Sequence, residues 1–169
     1  MTWTLKQARR LALEEKLIER EPRLAGFQFH DRRGATYVEG LTRPARIKDE
    51  FCLRIPVPPN YPHEKPCLYV IRPKKLWKQG RKVLLNHQGR SHSFHTEVNG
   101  PDGVVSICHS EHWDVSQTLM QVVFKGILWC KLYAVHLQTG QTIAELLKSG
   151  LAKQLASDPL RLVGPSHPR

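Results

Sequence analysis

Residues 51–70 read FCLRIPVPPNYPHEKPCLYV. The first five alternate, with Phe51, Leu53 and Ile55 on one face and Cys52 and Arg54 on the other. That alternation is the period of a half-buried β-strand. Residues 56–66 then hold five prolines in eleven positions. Proline has no amide hydrogen and a fixed φ, so this segment forms neither helix nor interior strand. It is a rigid, mostly extended connector that loses little entropy on folding. Residues 67–71 open another strand, closed by Pro73.

Toward the N-terminus the pattern is short runs with turn punctuation: strands over 24–30 and 35–41, with a turn over 31–34 between them. Connections of a few residues predict an antiparallel meander, because a parallel crossover needs a dozen or more. Before the strands, residues 4–20 predict an amphipathic helix. Thr4 and Gln7 form a capping box. Leu5, Ala8, Leu11, Ala12 and Ile18 follow helical spacing, with Glu15 as the one polar intruder. Lys6, Arg9, Arg10 and Lys16 fall on the outer face, and Pro22 stops the helix.

Toward the C-terminus, residues 74–91 are a basic, polar insertion with a short strand expected at 83–85. Residues 92–113 follow, HSFHTEVNGPDGVVSICHSEHW. Cys108 stands there behind a short apolar run, among four histidines, an asparagine and acidic side chains. The other cysteines, Cys52, Cys67 and Cys130, lie in apolar patterns that predict small buried hydrophobes. Asp114 and Gln117 make a second capping box for the longest helix, expected over 115–138. Its apolar stripe is Leu119, Val122, Val123, Ile127, Cys130, Tyr133, Ala134 and Leu137. Thr139-Gly140 is its stop. A shorter helix is expected over 141–156, and the proline-rich residues 157–169 as a disordered tail. No internal repeat is visible.

The chain has 169 residues, 40% of them hydrophobic, which predicts one domain over 1–156 with a real core. Its four cysteines are 15, 41 and 22 residues apart with no CxxC pair, so neither a disulfide framework nor a zinc ribbon is indicated. No run of eighteen apolar residues predicts a membrane span. The start, MTWTLKQARR, lacks the apolar core of a signal peptide, so a cytoplasmic protein is expected. The net charge of +11 predicts attraction to an acidic partner. The cations are dense only at 72–82. No aromatic-basic interleaving or nucleic-acid motif accompanies them, so nucleic acid is not the expected partner.

Helix, meander, proline connector, cysteine loop and helix is the element order of the ubiquitin-conjugating (E2-like) fold, and the residues resemble that family. Pro58, Tyr61, Pro62 and Pro66 match its P-x-x-Y-P-x-x-x-P connector. Gly103, Ile107, Cys108, Trp113 and Asp114 stand in the order of its G-x-I-C and following Trp. WCKLYAVHLQTG is similar to the helix end of bacterial E2-like proteins of antiphage operons. The resemblance spans about residues 4–140. It implies an α+β domain with an N-terminal helix, a four-stranded antiparallel meander, a cysteine loop and a long C-terminal helix. The chain departs from the family in lacking H-P-N before the cysteine, and two residues are inserted between Gly103 and Ile107.

What the resemblance implies is a thioester enzyme without a cofactor. Cys108 would take a polypeptide C-terminus from an E1-like activating enzyme and pass it to an amine of a target protein. The donor would be a ubiquitin-like modifier or, in other operons, a nucleotidyltransferase C-terminus. Asn99 is the first choice for the oxyanion donor and His95 the second. Glu111 and Asp114 are the carboxylates placed to meet the amine. Lys6, Arg9, Arg10, Tyr61, Pro62 and Trp113 are the expected partner-binding residues. Two other readings stand beside this one. One is a catalytically inactive E2-like binding module. The other is a zinc site made of His92, His95, Cys108 and His112.

Overall fold

The computed structural model describes residues 3–32, 35–45 and 47–157. Helix α1 (Leu5–Glu19) is followed by five strands, β1 (Phe27–Arg32), β2 (Ala35–Thr42), β3 (Phe51–Pro56), β4 (Tyr69–Arg72) and β5 (Val105–Ser106). Helices α2 (Leu119–Thr139), α3 (Ile143–Lys148) and α4 (Leu151–Ser157) complete the chain. The strands form one antiparallel sheet in the order β1-β2-β3-β4-β5. This is an α+β architecture with one strand more than expected. Part of the expected turn at 31–34 and all of the expected tail beyond Ser157 lie outside the described residues.

The registers align one transverse row. Phe27 pairs with Gly40, Gly40 with Leu53, Leu53 with Val70, and Val70 with Val105. Leu53, Val70 and Val105 are almost wholly buried. A Cβ on Gly40 would fall 2.4 Å from the Phe27 ring, so the ring lies directly over that glycine. Helix α2 covers this face of the sheet. It packs tightly at Gly126, where a Cβ would sit 2.8 Å from Leu53 Cδ1 and 3.1 Å from Leu68 Cδ2. Helices α3 and α4 also pack on α2, and Trp129, Leu132 and Val135 are buried as well as the expected stripe up to Ala134.

Helix α1 begins where expected, with Thr4 and Gln7 forming the reciprocal capping box. Its buried face is rotated from the expected one. Leu11, Glu14 and Ile18 face inward, while Leu5 is 70% exposed and Ala8 and Ala12 face solvent. The polar intruder is Glu14, fully buried, not Glu15. Glu14 Oε1 accepts from the Tyr61 hydroxyl at 2.5 Å and from Arg10 Nε at 2.7 Å. Its Oε2 accepts from the Leu119 amide at 2.8 Å. With three donors filling its lone pairs, the carboxylate can be buried without an unpaired charge.

That carboxylate also sets where α2 starts. Asp114 and Gln117 predicted a start at 115, but the helix begins at Leu119 with Thr118 and Gln121 as its capping box. In a helix running from 115, the Leu119 amide would bond the Val115 carbonyl. Here the amide goes to Glu14, and Arg10 takes the carbonyls of Val115 (3.0 Å) and Gln117 (2.7 Å). Asp114 instead closes a turn, accepting from the Ser116 amide at 2.8 Å.

Other differences have local causes. Gly150, at φ 78°, splits the expected 141–156 helix into α3 and α4. Val83 and its neighbours form no sheet strand. They fold back as a hairpin in which Leu84 bridges Trp77. Cys67 precedes β4 and is exposed, against the expectation of burial, whereas Cys52 and Cys130 are buried. Gly140, at φ 77°, ends α2 as expected.

The close approach at Gly126 yields a prediction. Gly126→Ala gains about 1 kcal/mol of helix propensity but pushes into two fully buried leucines, an overpacking cost of about 1–3 kcal/mol. The urea midpoint is expected to fall; a rise would show that α2 has slack over β3.

Candidate functional site

Cys108 follows β5 by two residues, and three backbone bonds fix it. The Ile107 amide donates to Leu68 O (2.8 Å), the Glu97 amide to Ser106 O (2.8 Å) and the Cys108 amide to His95 O (2.8 Å). Residues 95–97 therefore run antiparallel to 106–108 on the free edge of the sheet. Ile107 and Val105 point into the core, and both are buried. By the two-residue period, Cys108 projects from the other face. His95 and Glu97 line an open cleft of about 280 Å³ together with Cys108, Lys65, His92 and Glu111. His95 has φ 49°, a left-handed turn that lets its carbonyl meet the Cys108 amide.

The cleft has a defined electrostatic order. The Cys108 thiol and the Glu97 carboxylate line the same cleft and act on one another's charge. Burial first, and then Glu97, push the thiol above its ordinary value, with Lys65 acting weakly against them. Burial also opposes charge on Glu97. The thiol and Lys65 outweigh it and hold Glu97 below the usual carboxylate range. Lys65 Nζ lies 3.2 Å from Glu97 Oε1 and donates to the Ser110 carbonyl at 3.0 Å. Arg90 Nε is 3.4 Å from Glu97 Oε2. At neutral pH the site is a protonated thiol against an ionised carboxylate braced by two cations. Burial keeps His95 below its ordinary range, so it is a neutral ring there.

The expected site residues separate into two groups. Cys108, His95, His92 and Glu111 meet in the cleft. Asn99 does not line it: its amide donates to the Asn86 carbonyl at 2.6 Å and braces the 85–88 turn. Asp114 is spent on its own turn. His112 is exposed and outside the cleft. Among the described residues no three His, Cys, Asp or Glu side chains stand close enough to hold a metal ion, so the four-ligand zinc set is not assembled.

Of the expected partner-binding residues, Lys6 and Arg9 are exposed on α1. Arg10 is committed to Glu14, Val115 and Gln117. Tyr61 is wholly buried beneath the connector. Trp113 donates from its indole to the Pro62 carbonyl at 2.7 Å and so latches the cysteine loop onto that connector. Lys6, Arg10, Pro62, His63 and Val115 share a groove between α1, the connector and the loop before α2.

Glu97 and Lys65 escaped the sequence reading. The signal for Glu97 was its two-residue spacing from His95 on a strand edge; Lys65 carried none, being one more polar residue in the connector. A scan against protein-family models finds no match for the chain, and a search of the curated proteins finds none. Among the described residues no helix is long and apolar enough to cross a membrane.

His109, next to the cysteine, points the other way and is buried. Its Nε2 lies 2.7 Å from the Pro66 carbonyl, and its ring packs edge-on to Trp113. A carbonyl only accepts, so the neutral ring carries its proton on Nε2. Burial lowers its pKa to about 4, so it is not a cation beside the thiol. The unfolded chain takes this proton near pH 6.5 and the folded chain only near 4. Stability from this group is complete above about 6.5 and declines as pH falls toward 4, by at most about 3 kcal/mol. Urea unfolding across that window is expected to show the decline in wild type and a flatter profile in His109→Gln. Equal slopes would remove His109 as its source.

Proposed function

We propose that the chain is an E2-like conjugating enzyme that carries an acyl group as a thioester on Cys108 and transfers it to a target amine. The observation that carries this reading is the setting of the thiol. It is partly exposed in an open polar cleft that it shares with the Glu97 carboxylate, while Cys52 and Cys130 are sealed in the core. The order helix, antiparallel meander, proline connector, cysteine loop and helix supports it.

In this reading a polypeptide C-terminus, activated by an E1-like enzyme, arrives as a thioester. The sulfur of Cys108, once deprotonated, attacks the carbonyl carbon and displaces the carrier thiol. The carrier thiol that leaves is that of the E1-like enzyme, and the acyl group that moves is the C-terminus of a ubiquitin-like modifier or of a nucleotidyltransferase, in the setting of bacterial antiphage defence. The tetrahedral intermediate of either transfer develops an oxyanion, which needs a donor in the cleft. Asn99 is engaged with Asn86, so the Lys65 ammonium and the His95 ring, both lining the cleft, are the groups assigned to it. The groove beside Lys6 and Pro62 is the surface assigned to the activating partner.

Intact-mass measurement tests the reading. The protein is incubated with ATP and the products of its genomic neighbours, wild type beside Cys108→Ala and Cys108→Ser. The expected result is a thiol-sensitive adduct on wild type, none on Cys108→Ala, and a thiol-stable adduct on Cys108→Ser. An adduct of wild type that persists in Cys108→Ala would overturn the assignment of the cysteine.

A further inference from the structure

We infer that Glu97 is the proton acceptor for the amine that discharges Cys108. The inference rests on the thioester reading above and names the group that completes its second step. Three observations place Glu97 there. Its backbone is pinned opposite Ser106 by the 2.8 Å bond from its amide. Its side chain lines the same cleft as Cys108, on the face that the pairing of Thr96 with Ile107 gives to both. Lys65 and Arg90 hold the two carboxylate oxygens from the flanks, at 3.2 and 3.4 Å. A structural carboxylate needs only the two cations; this one also shares a cleft with the reacting sulfur.

Acylation changes what Glu97 can do. In the resting site the carboxylate stands in the cleft beside the thiol. Once sulfur carries an acyl group, the same carboxylate stands beside the new thioester, where the amine must arrive. The amine nitrogen attacks that carbon and forms the C–N bond, and one amine proton passes to Glu97. The C–S bond then breaks and Cys108 leaves as a thiolate. It takes the proton back from Glu97, which restores the resting thiol–carboxylate pair. Atoms and charge balance with no further reactant. The same pair keeps the resting thiol protonated, which protects it from stray electrophiles. The charge and position of the group are those of a general base.

Two measurements test this, both in a Cys67→Ser background because Cys67 is exposed. The first is the rate of Cys108 alkylation by iodoacetamide at pH 7. Removing the negative charge in Glu97→Gln is expected to raise the thiolate fraction and speed alkylation several-fold. This arm does not depend on any conjugating activity, and an unchanged rate would show that Glu97 does not act on the thiol and would overturn the inference. The second loads Cys108 with the acyl group of an N-acetylglycine thioester of 2-mercaptoethanesulfonate and follows discharge to free lysine by mass. Glu97→Gln is expected to load at least as fast as the parent and to discharge about 10²-fold more slowly, with Glu97→Asp in between. Equal discharge by the parent and Glu97→Gln would overturn the role of Glu97 while leaving the thioester on Cys108 intact. A parent protein that takes no acyl group on Cys108 would instead overturn the thioester reading, and the inference with it.

Discussion

A fully buried carboxylate joins the two ends of this fold. Glu14 sits on the inner face of α1, yet its three partners come from three places: Arg10 one turn back, Tyr61 in the proline connector, and the first amide of α2. Moving an ionised carboxylate out of water is costly unless its lone pairs are filled. Here they are filled by a guanidinium, a phenol whose pKa is pushed up by burial and by Glu14 itself, and a helix amide. The Leu119 amide is one of the unpaired donors at the positive end of α2, where an anion is favoured. Removing one partner of such a buried set costs about 3–5 kcal/mol.

The same network shapes the route to the candidate site. By holding residues 115–118 out of the helix, Arg10 and Glu14 leave a loop between Cys108 and α2 long enough for Trp113 to turn back onto the Pro62 carbonyl. The proline connector is thereby gripped from both sides, by Tyr61 from within and by Trp113 from above. Lys65 leaves the end of that connector and crosses to Glu97 and Ser110. The cleft therefore has one wall from the connector, one from residues 90–97, and the rest from Cys108, Ser110 and Glu111. A side chain on a rigid, proline-locked connector is held in place at low entropic cost, and here that side chain is Lys65 against Glu97.

Some of this was legible in the residues and some was not, for physical reasons. Local signals read true. The alternation of residues 51–55, the Thr4–Gln7 box, the proline connector and Gly140 each depend on neighbours in sequence, and each element stands close to its expected place. Signals decided by distant partners did not. The Asp114–Gln117 box marked the expected start of α2, but the start lies at the Thr118–Gln121 box, where Glu14, more than a hundred residues away, takes the Leu119 amide. The buried face of α1 was misread by one position because burying an acid next to a leucine makes sense only once Tyr61 and Leu119 are in view. Cys67 lies in an apolar pattern but just ahead of β4, outside the sheet. In the site, Cys108 and His95 were visible from the sequence. Asn99 was the natural choice as an amide, and the register of 95–97 on 106–108 carries it past the cleft while bringing Glu97 to the thiol.

If one carboxylate ties α1, the connector and the start of α2 together, weakening it must loosen all three at once. Segment-resolved hydrogen exchange of Glu14→Gln beside wild type measures this directly. The account predicts faster exchange together in α1, in residues 59–63 and across 108–122, with little change in the paired residues of β2 and β3. Loosening confined to α1, with the connector and the cysteine loop as protected as in wild type, would contradict it.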